Sequence, residues 1–158
     1  GWEKWTHDKR PVETTPTVYQ PATLTAKPRP ELFVGREEML ASIEDQNLCA
    51  LNALGADLHR GENVRYGRPG RIPGSVNVPA ADLQHPETKE FVGLDAAARA
   101  FEAVGVKPDQ RVLVYCGGGI AATLDAYLLH QLGYENIAVY DNSMSEWSTD
   151  DSLPIETG

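Results

Sequence analysis

Three observations predict an α/β fold in which helices cover a parallel sheet. Apolar runs of strand length alternate along the chain with segments of helical period. The strands are apolar on both faces, as in a sheet buried between helix layers. One strand runs straight into a glycine-rich turn that opens a helix, the arrangement that places ligands at the carboxyl end of an open α/β sheet.

Residues 1–33 carry no such pattern. Five of the eleven prolines (Pro11, Pro16, Pro21, Pro28 and Pro30) fall there among Thr and Ala, a mixture that favours extended chain. This stretch is read as tail and linker, and residues 34–158 as one domain. Trp5-Thr-His-Asp-Lys-Arg-Pro11-Val-Glu-Thr also parallels Trp147-Ser-Thr-Asp-Asp-Ser-Leu-Pro154-Ile-Glu-Thr with one residue inserted. The echo suggests that residues 1–14 close a preceding copy of the same domain. With neither an initiator Met nor an apolar signal core at Gly1, the chain reads as a fragment.

From Gly35 the pattern becomes regular. Arg36–Asp45 places Met39, Leu40 and Ile43 at helical spacing, with Glu37 and Glu38 in the first turn, where the helix dipole favours anions. Leu48–Leu54 and Ser75–Val78 read as strands. Leu94–Val104 reads as a helix stopped by Gly105 with Pro108 beyond. Arg111–Tyr115 reads as a strand, Ile120–Leu132 as a helix closed by Gly133, and Ile137–Tyr140 as a strand.

Composition narrows the function. In 158 residues, 14 Lys and Arg against 23 Asp and Glu give a net charge of −9, the wrong sign for a nucleic-acid partner. The longest charge-free apolar run, Val112 to Leu124, is 13 residues, against about 20 for a spanning helix, so no membrane segment is expected. Two cysteines without a CxxC and four scattered histidines make a metal cage improbable. Nothing suggests a disulfide framework, so the default compartment is reducing and cytoplasmic.

The chemistry concentrates in Arg111-Val-Leu-Val-Tyr-Cys116-Gly117-Gly118-Gly119-Ile120-Ala121-Ala122-Thr123-Leu124. Three consecutive glycines ahead of a helix can turn their amides toward one point and form an anion nest, with Cys116 at its rim. A thiol there has its thiolate stabilised, as does any anion built on the sulfur. Cys49, inside an apolar strand, reads instead as a buried small residue. A second chemistry fits part of the same loop. Gly117-x-Gly119-x-x-Ala122 matches a dinucleotide fingerprint, with Asp141 placed 19 residues after Ala122. Only 17 residues follow Asp141, too few for the remaining strands of such a domain.

Three stretches in register resemble the marker motifs of rhodanese-type sulfurtransferases. They are Gly70-Arg71-Ile72-Pro73-Gly74-Ser75-Val76-Asn77-Val78-Pro79, then Cys116-Gly-Gly-Gly-Ile-Ala-Ala, then Val139-Tyr140-Asp141-Asn142-Ser143-Met144-Ser145-Glu146-Trp147. The resemblance spans about residues 34–158. It implies a rhodanese-like parallel sheet of about five strands with helices on both faces, here the carboxyl-terminal, catalytic-type half of a tandem-domain protein. It further implies that Cys116 takes a sulfane sulfur from a small anionic donor, thiosulfate or 3-mercaptopyruvate, and passes it to a thiol or cyanide. The persulfide would be cradled by the loop Gly117, Gly118, Gly119, Ile120, Ala121 and Ala122, and no metal or organic cofactor is called for. Gly118 is expected to need backbone freedom that a β-branched residue would deny it.

Arg60, Arg65, Arg68 and Arg71 crowd into twelve positions. Arg60 and Arg68 are the candidate anion-binding residues, Arg68 near the place of a carboxylate-binding arginine in the mercaptopyruvate type. Asp141, Ser143 and Trp147 are assigned to structure. Asn52-Ala53-Leu54 and Leu58-His59-Arg60-Gly61 depart from the family's usual Asp-Ala-Arg and Arg-aromatic-x-Gly, and Arg71 stands where a histidine is usual. Oxyanion chemistry of the Cys-x5-Arg kind is disfavoured, since Ala122 occupies the arginine position. A rhodanese fold kept as a structural or sulfur-carrier partner is the alternative.

Overall fold

The computed structural model describes all residues, 1–158. Five parallel strands form one sheet in the order β1-β5-β4-β2-β3. They are β1 (Phe33–Val34), β2 (Leu48–Asn52), β3 (Val76–Asn77), β4 (Arg111–Tyr115) and β5 (Ile137–Tyr140). The central strand β4 pairs Cys49 with Val112 and Asn52 with Tyr115 on one side, and Val112 with Ile137 on the other. Buried on both faces from Val112 to Tyr115, β4 has to be apolar there, which is why that run shows no alternation.

Side chains alternate across the pleat and divide the core in two. Val112, Val114 and Cys116 join Leu51, Phe101, Ala122, Leu128 and Leu129 on one face, beneath α4 (Leu94–Ala103) and α5 (Ile120–Gln131). Leu113 and Tyr115 join Met39, Ile72, Tyr140, Met144 and Trp147 on the other, beneath α2 (Arg36–Ala41) and α6 (Ser143–Trp147). Cys116 thus continues the α5 side of the sheet. At the end of α5 the Gly133 amide bonds His130 O and the Tyr134 amide bonds Leu129 O, with Gly133 at φ +89°. This closure uses the left-handed conformation that glycine adopts at least cost.

Several expectations are corrected. The first helix of the domain stops at Ala41, because Ser42 turns its hydroxyl back onto Met39 O at 2.6 Å and residues beyond it form turns. The strand begun at Leu48 ends at Asn52, and β3 is only Val76–Asn77. The helices ending at Ala103 and Gln131 each stop one residue short of the expected end. Phe33 belongs to the sheet rather than to the tail. Short elements also add to the expected set: α1 (Trp2–His7), α3 (Ala56–His59) and α6. Within residues 1–33, α1 is helical, Pro30–Leu32 form a 3-10 turn and 12–29 run exposed.

The echo between the two ends of the chain extends to a hydrogen bond. Trp5 Nε1 donates to Pro11 O at 2.9 Å, and Trp147 Nε1 donates to Pro154 O at 2.7 Å. Trp147 is fully buried, whereas Trp5 is 42% exposed. No helix is long and apolar enough to cross a membrane.

Candidate active site

β4 delivers Cys116 to the carboxyl edge of the sheet, and the chain then turns through three glycines into α5. Two of them are fixed by close contact. Gly119 has φ +79°, and a Cβ there would stand 2.3 Å from Asp141 Oδ1 and 3.0 Å from Asp141 O. A Cβ on Gly117 would stand 1.9 Å from the Tyr66 hydroxyl oxygen and 2.0 Å from Cζ of the same ring. Gly118 is free of both constraints. It lies outside the positive-φ set, and its Cβ would meet only Ser145 Oγ at 3.7 Å. The backbone demand expected at Gly118 therefore falls on its neighbours.

This difference sets a measurable contrast. Gly118→Ser should fold and keep its sulfur chemistry within about threefold. Gly119→Ala should lose stability by about 1–3 kcal/mol from forced positive φ and overlap with Asp141, and should slow sulfur chemistry at least about tenfold. Urea melts and single-turnover rates of the two variants, measured side by side, test it.

Ser143 latches the loop. Its Oγ accepts the amides of Cys116 at 3.0 Å and Gly119 at 3.3 Å, and donates to Tyr140 O at 2.7 Å. Ser143 pays for this position with a positive φ of 52°. The amides of Met144 and Ser145 bond Cys116 O at 3.1 Å and Gly117 O at 2.9 Å, and Ser145 Oγ also bonds Gly117 O at 2.5 Å. The structural roles expected for Ser143 and Trp147 match these contacts, and Asp141 lies directly against Gly119.

Of the loop amides, those of Cys116 and Gly119 are thus spent on Ser143. The amides of Gly117, Gly118, Ile120, Ala121 and Ala122 donate to no acceptor in the chain. Free backbone N–H groups gathered on one loop form an anion-stabilising surface. Cys116 itself is 2% exposed, whereas Gly118 and Ile120 are exposed. The sulfur-bearing residue is thus buried beneath the loop, not set at its rim. Ala122 is buried and Ala121 partly so.

The arginines are arranged differently from the expectation. Arg60 forms a two-pronged pair with Glu62 at 2.7 and 2.8 Å. Arg68 spends Nε and one Nη on the carbonyls of Trp147, Ser148, Asp150 and Leu153, at 2.6 to 3.3 Å. Arg71 binds Glu156, His59 O and Gly158 O. Arg68 and Arg71 tie the 60–74 segment to the end of the chain, so the anion-binding role expected of Arg60 and Arg68 finds no support in their contacts. Arg65 has no ion pair, and its guanidinium lies 5.8 Å from the centroid of the Tyr66 ring.

Asn52 explains one departure from the family pattern. Its buried side chain accepts the Leu54 amide at 2.9 Å, and its Nδ2 donates to His59 Nδ1 at 3.1 Å. Burial first, and Arg71 second, push His59 down to about 4, so the ring is neutral and able to accept. An aspartate at this position would have no proton to donate.

Two further groups complete the inventory. Cys49 is half-buried and burial pushes its thiol up to about 11, in keeping with a packing role. Asp125, on α5, is 0% exposed, with no hydrogen-bond partner for either carboxylate oxygen. Burial alone pushes it up to about 8. Neither Tyr66 nor Asp125 was signalled by a motif. Asp125 could have been found as the one acid in the inward stripe of Ala122, Asp125 and Leu129.

The comparisons with known proteins agree with this fold. A family model described as a rhodanese-like domain matches residues 56–150. A putative thiosulfate sulfurtransferase of Mycobacterium leprae is 31% identical, over all of this chain and 60% of its own length. Thiosulfate/3-mercaptopyruvate sulfurtransferase 2 of Arabidopsis thaliana is 30% identical, over 91% of this chain and 44% of its own length. The chain therefore spans less than two thirds of either relative. Among solved structures, an anaerobic ergothioneine biosynthesis enzyme from Chlorobium limicola superposes with a TM-score of 0.87 at 21% identity, over all of this chain and 40% of its own. At that identity the likeness is one of fold.

Proposed function

The chain belongs to the rhodanese-like domain family, and on that footing we propose that it is a sulfurtransferase working through a persulfide on Cys116. The Cys116 thiolate attacks the outer sulfur of thiosulfate or the thiol sulfur of 3-mercaptopyruvate. A new S–S bond forms as the donor's bond to that sulfur breaks, and sulfite or the pyruvate enolate leaves with the electron pair. An acceptor thiolate or cyanide then attacks the outer sulfur and releases the Cys116 thiolate. Splitting the transfer in this way is nucleophilic catalysis. Each step is an exchange at sulfur among the Cys116 thiol, the donor and the acceptor.

The observation that carries this reading is the set of five free amides on the loop that follows Cys116. They offer hydrogen bonds to the thiolate, to the persulfide and to the charge that moves between them. One observation favours the alternative of a non-catalytic structural or carrier domain, namely the burial of Cys116. A single experiment separates the two. Incubating the chain with each donor in turn should add about 32 Da, one sulfur atom, to its mass. No gain with either donor would end the sulfurtransferase reading.

The same proposal extends to organisation. Residues 1–14 close a preceding rhodanese-like domain, and the residues from there to Leu32 form the linker to the present one. The repeated Trp-to-Pro hydrogen bond supports this, as does the exposure of Trp5, whose counterpart Trp147 has a core to enter. The low cysteine count and the free thiols suit a reducing, cytoplasmic setting.

A further inference from the structure

The chain carries four arginines between residues 60 and 71, the natural place to look for the group that holds an anionic donor. Arg60, Arg68 and Arg71 are occupied by Glu62, by four main-chain carbonyls, and by Glu156 with two more carbonyls. Only Arg65 has neither an ion pair nor a hydrogen bond, and it stacks on the ring of Tyr66. That ring rests on Gly117, the residue after the cysteine, so closely that a side chain there would have to push the ring aside. The Tyr66 hydroxyl has no partner in the chain, yet it is absent from the sealed, unsatisfied atoms, so water reaches it. Tyr66 therefore brings one open hydroxyl against the loop, with one unpaired cation on its face.

Building on the sulfurtransferase reading, we propose that Tyr66 is a specificity-determining residue of the site. Its hydroxyl donates a hydrogen bond to the anionic end of the sulfur donor, a sulfonate or carboxylate, while Arg65 supplies the compensating charge. The ring fixes Gly117, and the hydroxyl reads the donor. The two tasks are separable, because phenylalanine keeps the first and removes the second.

The test uses this chain with thiosulfate and 3-mercaptopyruvate as donors and cyanide as acceptor. Tyr66→Phe should raise the donor KM roughly tenfold, the range expected for a hydrogen bond to a charged group, with kcat within about twofold. Its preformed persulfide should react with cyanide at the wild-type rate, because that half-reaction no longer contains the donor. Arg65→Gln should raise the donor KM as well, less so at high salt. Unchanged KM in Tyr66→Phe overturns the assignment. So does a matching fall in the cyanide half-reaction, which would mark a purely structural ring. A wild-type chain that gains no sulfur overturns the sulfurtransferase reading and this proposal together. A wild-type chain that gains sulfur beside an unaffected Tyr66→Phe variant removes only the assignment of Tyr66.

Discussion

A Cys116→Ser chain is expected to gain no mass from thiosulfate or 3-mercaptopyruvate and to transfer sulfur at least ~10³-fold more slowly than the parent, with an almost unchanged melting temperature. The substitution removes the sulfur and nothing else of consequence. Serine is slightly smaller, and the position is held through its backbone by the Cys116 amide to Ser143 and by Cys116 O to the Met144 amide. With the backbone held in this way, the fold has no reason to fail. Cys49→Ser is the control. Its thiol, pushed up to about 11 by burial, is almost wholly protonated at neutral pH and a poor nucleophile. Loss of the mass gain in Cys49→Ser with retention in Cys116→Ser would reverse the assignment of the nucleophile.

Replacing Asp125 by asparagine is expected to stabilise the chain at pH 8 by about 3 kcal/mol and to leave it nearly unchanged at pH 4. The carboxyl ionises near 3.9 in an unfolded chain and only at about 8 in the folded one. Between those values the unfolded state binds fewer protons, so wild-type stability falls as pH rises from about 4 and levels off above about 8. A displacement of four units would correspond to roughly 5 kcal/mol, and relaxation around the ionised group reduces the effect to the smaller figure. Asparagine removes the ionisation while retaining the shape and the unsatisfied polarity. Chemical denaturation at a series of pH values gives the answer. A variant less stable than wild type at pH 8 would mean that Asp125 has a partner when charged.

The parts of the fold that could be read in the sequence are those whose signal is local. β4 from Val112 and β5 are apolar runs, α4 carries a periodic stripe, α5 is apolar nearly all round, and Gly105 and Gly133 close the two helices. α2 was overextended because Ile43 continues its spacing, while the Ser42 hydroxyl turned back onto Met39 O is invisible to spacing. β1, α3 and α6 are two to five residues long and take their form from contacts remote in sequence. α1 lies ahead of a proline-rich stretch and has no buried face to leave a pattern.

The site divides in the same way. Cys116 and the glycine turn were legible because strand, cysteine and helix are contiguous. Which glycine matters was not, because the answer depends on Asp141 and Tyr66, brought in from other loops. Counting arginines points to the 60–71 segment. Only their partners show that Arg68 is a strut and that Arg65 is unpaired.

The Ser143 hydroxyl joins the base of the loop to the end of β5 from 27 positions downstream of Cys116. Synthesis runs from amino to carboxyl end, so the ribosome makes the thiol well before the residue that shapes its surroundings. A nascent chain halted before α6 would carry the cysteine without its mould. On the proposed reading, competence at sulfur therefore waits for α6, and a chain cut short before Ser143 is expected to be inert.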